Sequence, residues 1–204
     1  MQTRIYHEAD QGTEEWLKDR QGKITGSRIH DVMAQGKGLS RAKYLRELAG
    51  EIITGNSEGN YTNAHMDRGT ELEPLARELY SLQQSAECKQ VGFVSNSDLP
   101  GLGCSPDTEI VGTNGIIEIK CRLAHIQIKL LEDDKIDSQC IKQMNFNMYV
   151  GGYDFCDYVS FCEGLPLYVK RFYPDEVLLD QMKEDIKQAQ FDLNSLVERI
   201  KGKL

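Results

Sequence analysis

The chain has 204 residues, of which 40% are hydrophobic and 27% are charged, and its formal net charge is −8. This length and composition fit one folded domain with a hydrophobic core. The acidic balance argues against a protein that binds nucleic acid through a general polybasic surface, although a local basic track is compatible with it. No apolar run approaches the ~20 residues that a membrane helix needs. We therefore expect a cytoplasmic protein without a membrane-spanning segment.

The elements predicted in the first third of the chain are helices. Thr13 is a candidate N-cap for a helix that carries Trp16. Ser27 is a candidate N-cap for a second helix, which continues through Met33. A third helix is predicted from about Ser40, because apolar residues then recur on one side. These assignments predict a helical N-terminal part over about 1–86.

The remainder alternates between strand-like and helical patterns. Leucines at helical spacing predict a helix over about 70–83, with Pro74 in its first turn or at a kink. The later segments are strands at about 89–96, 104–111 and 115–121, a helix at about 136–150, strands at about 153–162 and 166–173, and a long helix from Leu178 to Ile200. This order predicts a single α/β or α+β domain over 1–204, with a mixed sheet in a sheet-bearing core over about 87–204.

The most informative segment is the strand-like pair around Asn114-Gly115. This dipeptide between two extended stretches is a strong hairpin signal. Side chains alternate along a strand, so Glu118 and Lys120 share one face, and a hairpin can place Asp107 beside them. Carboxylates are ligands suited to Mg²⁺, and a lysine can steady a water or a developing negative charge. The segment therefore predicts a site for cutting phosphodiester bonds.

The same pattern also fits an ordinary strand surface. Acids and a lysine that alternate on a strand are commonly a solvated face with a cross-strand ion pair. Pro106 before the Asp and the apolar neighbours of Glu118 favour a strand buried on at least one side. A charged pair in such a place is costly without a partner or a metal. This context favours the functional interpretation.

Three polar groups outside the hairpin are further candidates, each with two explanations. Glu71 and Glu73 either complement the dipole at a helix N-terminus or supply a third carboxylate, and the pattern favours neither. Gln143 lies on a stripe with Gln139 and Asn147. That stripe is either the wet face of a helix, the commoner case, or directs Gln143 into a cleft.

The third candidate is the pair Arg20 and Ser27, which lie on either side of a short segment that precedes a predicted helix. A helix N-terminus with a capping serine and a nearby arginine would suit a phosphate group. The plainer explanation is that Ser27 only caps the helix and Arg20 lies on the surface, and the residues alone favour it because caps are common.

Taken together, these stretches resemble the PD-(D/E)xK nuclease superfamily. Within it the chain is most similar to the lambda exonuclease (YqaJ-like viral recombinase) family. The matching stretches are 20–27, 68–73, Pro106-Asp107 with Glu118-Ile119-Lys120, and 143–150. They occur in the order typical of the family and span most of the chain. The resemblance implies a restriction-endonuclease-like core in which a mixed central sheet is flanked by helices.

The resemblance also implies roles for individual residues. Asp107 and Glu118 would bind Mg²⁺, for which Mn²⁺ can substitute, with the backbone carbonyl of Ile119 as a further ligand. Glu73 matches the helical carboxylate of the family better than Glu71 does and would join this ligand set.

The remaining matches concern water and DNA. Lys120 would orient or activate the attacking water, and Gln143 would help to position it. Arg20 and Ser27 match residues that hold the 5′-phosphate of a DNA end.

The function implied by the resemblance is a Mg²⁺-dependent exonuclease. Such an enzyme digests one strand of duplex DNA from 5′ to 3′ and leaves 3′ single-stranded tails for phage-type recombination. Its expected partners are double-stranded DNA ends and a single-strand annealing protein, and its expected assembly is a homotrimer. Two alternatives stay open. One is a structure-specific or restriction-type endonuclease on the same fold, and the other is a non-catalytic scaffold that binds DNA ends.

Overall fold

The computed structural model describes residues 4–34, 39–57 and 64–204, with side chains from residue 68 onward in the last range. The strands are β1 Arg4–His7, β2 Ile24–Thr25, β3 Cys88–Lys89, β4 Phe93–Asn96, β5 Leu102–Cys104, β6 Thr108–Ile110, β7 Gly115–Cys121, β8 Phe155–Phe161 and β9 Tyr168–Phe172. The helices are α1 Glu14–Arg20, α2 Ile29–Val32, α3 Leu39–Thr54, α4 Ala64–Gln84, α5 Ala124–Asp133, α6 Ser138–Gly151 and α7 Glu176–Lys201. A 3₁₀ turn, Gly26–Arg28, precedes α2.

Strand β7 is the centre of a five-stranded mixed sheet with the order β3-β6-β7-β8-β9. It pairs antiparallel with β6 and parallel with β8. Ile117 and Ile119 pack into a buried cluster with Tyr80 of α4. Ile116 points to the other face, into a cluster that contains Met144 of α6. The alternation predicted for this strand is confirmed, because each face of β7 meets a helix.

A second, four-stranded sheet has the order β1-β4-β5-β2. Its apolar face packs against α3, α6 and α7 in the largest buried cluster, which includes Val94 and Leu102. Two of its strands, β1 and β2, lie in the part of the chain that we predicted to be helical. β1 pairs with β4, almost ninety positions later in the chain, so its stability comes from a distant partner.

Helix α6 lies between the two sheets and positions the candidate site. Met144 and Met148 pack beneath the five-stranded sheet, whereas Phe146 and Val150 pack against the other sheet. The Asp137 side chain caps the helix by accepting from Gln139 N at 2.7 Å. With apolar residues on two sides, the remaining stripe of α6 faces the polar end of β7.

The predicted C-terminal helix is confirmed as α7. Its buried residues recur at helical spacing; they are Leu179, Met182, Ile186, Ala189, Leu193 and Val197. Asp175 caps this helix by accepting from Leu178 N. No helix in the described part of the chain is both long enough and apolar enough to cross a membrane.

Helix α4 differs from the prediction in where it begins. It starts at Ala64, so Pro74 lies in its interior and not in its first turn. Glu71 and Glu73 are therefore also interior positions. The helix dipole acts mainly on the terminal turn, so it does not explain either acid.

Two smaller predictions are also wrong. Ser27 is not an N-cap, because it lies within the 3₁₀ turn and α2 has no side-chain cap. The predicted hairpin forms, but Gly115 is not part of its turn, because it pairs with Ile110 as the first residue of β7. The turn is formed by 111–114, with Gly112 at φ 78°. Asn114 instead donates to Gly152 O at 2.9 Å, which ties the turn to the end of α6.

Candidate active site

The structure brings Asp107, Glu118 and Lys120 together at one end of the central strand. Glu118 is only 1% exposed, and Lys120 Nζ donates to Glu118 Oε1 at 2.6 Å. Asp107 immediately precedes β6, and its Oδ2 accepts from Ile119 N at 2.6 Å. The hairpin thus fixes both carboxylates through the backbone and side chains of β7, as the sequence pattern predicted.

Two amides of α6 complete the hydrogen bonding of Glu118. Gln143 Nε2 donates to Glu118 Oε1 at 2.6 Å, and Asn147 Nδ2 donates to Glu118 Oε2 at 3.3 Å. One explanation for the polar stripe of Gln139, Gln143 and Asn147 was a solvent-exposed helix face. It is wrong for Gln143 and Asn147 and right for Gln139, which is exposed. Sequence reasoning did not single out Asn147, although its spacing of four residues from Gln143 was the available signal.

Glu73 reaches the same site through Arg77, which the sequence analysis did not identify. Arg77 Nη2 donates to Glu73 Oε1 at 2.5 Å and to Asp107 O at 3.3 Å. Arg77 Nε also donates to Thr108 Oγ1 at 2.6 Å. This guanidinium therefore fastens α4 to the start of β6. Glu71 is exposed, so Glu73 is the acid of this pair that faces the site.

Burial and the neighbouring charges change the pKa values of the ionisable groups in this site. Burial, and then the Glu118 carboxylate, raise the pKa of Asp107 well above its ordinary value. Burial also raises the pKa of Glu73, although Arg77 opposes this effect. Burial acts to lower the pKa of Lys120, but the Glu118 and Asp107 carboxylates outweigh it and raise that pKa. Lys120 is therefore an ammonium ion at neutral pH, suited to stabilising negative charge.

The donor set fits a hard divalent cation. Carboxylate oxygens are the preferred ligands of Mg²⁺, and a cation would relieve the repulsion by Glu118, which adds to burial in raising the pKa of Asp107. Among the described residues, no group of three or more acidic, histidine or cysteine side chains is disposed as a metal cluster. Glu73 instead pairs with Arg77, and Glu118 pairs with Lys120.

We predict that Asp107→Asn raises the stability of the metal-free protein. The raised pKa means that folded Asp107 keeps its proton to higher pH than the unfolded chain does. The metal-free protein therefore loses stability as pH rises above the ordinary pKa of Asp, and asparagine removes this loss. Thermal melting in EDTA at pH 5 and pH 8 should show a gain for the variant that is larger at pH 8. An equal or lower melting temperature at pH 8 would contradict the electrostatic account.

A second polar cluster surrounds Arg20. Its guanidinium stacks on the Trp16 ring, with Cζ 4.1 Å from the ring centroid. Arg20 Nη1 and Trp16 Nε1 each lie 3.1 Å from Ser105 Oγ. Arg20 Nη2 lies 3.5 Å from the hydroxyls of Thr25 and Ser27. The structure therefore unites the two predicted residues and adds Ser105, two positions before Asp107, which the sequence analysis missed.

Arg20 forms no ion pair with an acidic side chain among the described residues. A cavity of about 90 Å³ opens beside it and is also lined by Lys23, Arg28 and Glu51. Arg28 pairs with other acids, and Glu51 accepts from Gly22 N at 2.8 Å. Arg20 and the surrounding hydroxyl groups can therefore accept an anion such as a phosphate group.

A mixed sheet with a carboxylate–lysine group on its central strand defines an enzyme of the PD-(D/E)xK nuclease class, which confirms the predicted fold. The family model described as the YqaJ-like viral recombinase domain matches residues 15–154, and the chain belongs to that family.

Solved structures agree with this assignment. An alkaline exonuclease (LHK-Exo) from Laribacter hongkongensis is 35% identical, with a TM-score of 0.85 and coverage of 94% of this chain and 97% of that one. Its complex with dAMP has a TM-score of 0.86, with the same identity and coverage. A phage related exonuclease from Haemophilus somnus 129PT shares the fold, at 16% identity, a TM-score of 0.66 and coverage of 87% and 96%. The comparison with curated proteins gave no match.

Proposed function

We propose that this protein is a Mg²⁺-dependent exonuclease that digests one strand of duplex DNA from the 5′ end. The observation that carries the proposal is the contact of Lys120 with Glu118 beside Asp107 on the central hairpin. Membership of the YqaJ-like family and the similarity to an alkaline exonuclease support it. The product would be duplex DNA with 3′ single-stranded tails, the substrate for recombination by strand annealing in the cytoplasm.

The proposed ligands of the divalent cation are Asp107 and Glu118, with Glu73 and the backbone carbonyl of Ile119 as further candidates. A cation held there supplies Lewis-acid activation of water and neutralises charge on the phosphate. Mg²⁺ is the proposed ion, and Mn²⁺ should substitute for it because it also prefers oxygen ligands.

The protein's own groups then have separable tasks. Lys120 carries its positive charge at the end of the central strand, where it can stabilise negative charge that develops on the phosphate. Gln143 also donates to Glu118 Oε1 and so helps to orient the carboxylate, and it can position the attacking water. Arg77 holds Glu73 close to Asp107, because it donates to the Glu73 carboxylate and to the backbone carbonyl of Asp107.

Arg20 and Ser27, with Ser105 and Thr25, are the proposed pocket for the terminal 5′-phosphate. We predict that Arg20→Gln lowers the rate on 5′-phosphorylated ends by about 10- to 100-fold, because a charge-assisted hydrogen bond is lost. The rate on 5′-hydroxyl ends should change little. Lys18→Gln is the matched control, since Lys18 is an exposed cation on the same helix. Equal losses on both substrates would contradict the assignment of the pocket.

The function is tested with a linear duplex labelled at either end, with and without Mg²⁺ and with and without a 5′-phosphate. The proposal predicts loss of label from the 5′ end first, only with the divalent ion, and faster with the phosphate. Relaxed circular duplex should stay intact. Nicking of the circle would favour the endonuclease alternative, and binding of ends without release of nucleotides would favour the scaffold.

Two further parts of the proposal concern assembly. We propose a homotrimer around the DNA and an annealing protein as partner, both on the family resemblance. Light scattering coupled to size-exclusion chromatography tests the first, with three copies expected.

A further inference from the structure

Asn147 physically connects the two parts of the candidate site. Its side chain is 1% exposed, and its Nδ2 donates to Glu118 Oε2 at 3.3 Å. Its Oδ1 faces Gly26, where an added Cβ would lie 2.1 Å from that oxygen. Gly26 is the residue between Thr25 and Ser27, whose hydroxyls face Arg20. A single side chain thus spans the gap between the Arg20 cluster and the carboxylate on β7.

The orientation of this amide is fixed at a cost. Asn147 Oδ1 is buried and has no hydrogen-bond partner among the described residues. A buried oxygen without a donor is unfavourable, and an apolar side chain of similar size would avoid it. Rotating the amide by half a turn would set its oxygen against the Glu118 carboxylate, which is also an acceptor. The unpaired oxygen therefore marks an amide whose position is dictated by its bond to Glu118.

We propose that Asn147 is a positioning residue that couples occupation of the Arg20 cavity to the orientation of Glu118. The inference rests on the proposed function. A phosphate that engages Arg20 and Ser27 fixes the segment around Gly26. No free space separates Gly26 from Asn147, so the position of this segment sets that of the amide, and with it one of the donors to Glu118. Recognition of the DNA end then raises kcat and does not merely lower KM.

A double-mutant cycle on kinetics tests the coupling. The ratio of kcat on 5′-phosphorylated ends to kcat on 5′-hydroxyl ends is measured for wild type, Arg20→Gln, Asn147→Ala and the double variant. Asn147→Ala should lower this ratio by at least about fivefold. In its background, Arg20→Gln should still raise KM but should have little further effect on the kcat ratio. Equal losses on both substrates, with the full effect of Arg20→Gln retained, would overturn the coupling. Wild type that releases no nucleotides would overturn the proposed function instead.

A binding measurement tests the same idea without activity. Gly26→Ala forces Asn147 to move, because the added Cβ would lie 2.1 Å from Asn147 Oδ1. Titration with Mg²⁺, followed by the rise in melting temperature, should show several-fold weaker binding for this variant. Gly202→Ala, at the end of α7 with no neighbour closer than 3.5 Å to the added Cβ, should bind as wild type does. Should Gly26→Ala fail to fold, Asn147→Ser replaces it, since it removes the amide without adding atoms. Unchanged Mg²⁺ affinity in the folded variant would overturn the proposal.

Discussion

Replacing Glu118 with glutamine is expected to lower the rate of DNA degradation by at least about 100-fold while leaving the fold intact. Glutamine keeps the shape of the side chain and removes the charge that Lys120 contacts at 2.6 Å. It also removes one of the two carboxylates proposed to hold the divalent cation. Lys120 is partly exposed, so its charge can be hydrated when its partner is lost.

The measurement is the release of acid-soluble nucleotides from linear duplex in Mg²⁺, with circular dichroism as the check on folding. Lys120→Met should show a loss of similar size, because it removes the charge proposed to stabilise the phosphate. Glu132→Gln, at an exposed acid on α5, is the control and should keep full activity. A folded Glu118→Gln enzyme within about threefold of wild type would remove Glu118 from the site.

The second large effect is a loss of stability, which we expect when the buried carboxylate of Asp157 is removed. This residue lies on the face of the five-stranded sheet that packs against α4. Asp157 is 2% exposed and accepts from Tyr80 OH at 2.6 Å. Arg171 Nε and Nη2 donate to the same carboxylate at 2.8 and 2.9 Å. The guanidinium also stacks on Phe155, with Cζ 3.8 Å from the ring centroid. This carboxylate joins α4, β8 and β9 in one network.

Asp157→Ala should lower the free energy of unfolding by about 2–4 kcal/mol. The variant leaves the buried Tyr80 hydroxyl without its acceptor, whereas exposed Arg171 can be hydrated, which keeps the loss below that of a fully buried pair. Urea unfolding measures it, with Asp154→Ala, an exposed acid beside the start of β8, as the control. A loss under about 0.5 kcal/mol, the range typical of surface changes, would show that the network contributes little.

The central hairpin was predictable because its information is local. Alternation along 115–121 assigns Glu118 and Lys120 to one face whatever the rest of the fold is. Helix α7 was predictable for the same reason, since its apolar residues recur at helical spacing over its whole length. The PD-(D/E)xK core was implied by the family resemblance, through the matching stretches and their order.

The elements that were missed depend on distant partners. Strand β2 has only two residues and is stabilised by parallel pairing with Leu102–Cys104. Helix α5 lacks a side-chain cap at Leu123, and its exposed Ile126 and Ile128 blur the apolar stripe. Neither feature leaves a clear periodic pattern in the sequence.

Three residues of the candidate site were missed because their polar character alone does not distinguish them from ordinary surface residues. Asn147 reads as a wet position on a polar stripe until packing between two sheets buries it. Arg77 reads as half of an i, i+4 pair with Glu73, and only the folded hairpin shows that it also holds the backbone of Asp107. Ser105 is a common residue whose role depends on Arg20, which lies 85 positions away in the chain.

Crystals grown with Mn²⁺ provide the most direct measurement of the central claim, through anomalous scattering at the manganese edge. The account predicts a strong peak bonded to carboxylate oxygens of Asp107 and Glu118, which Asp107→Asn crystals should lack. Density that stays empty between these two side chains at saturating Mn²⁺, in an enzyme that still degrades DNA, would contradict it.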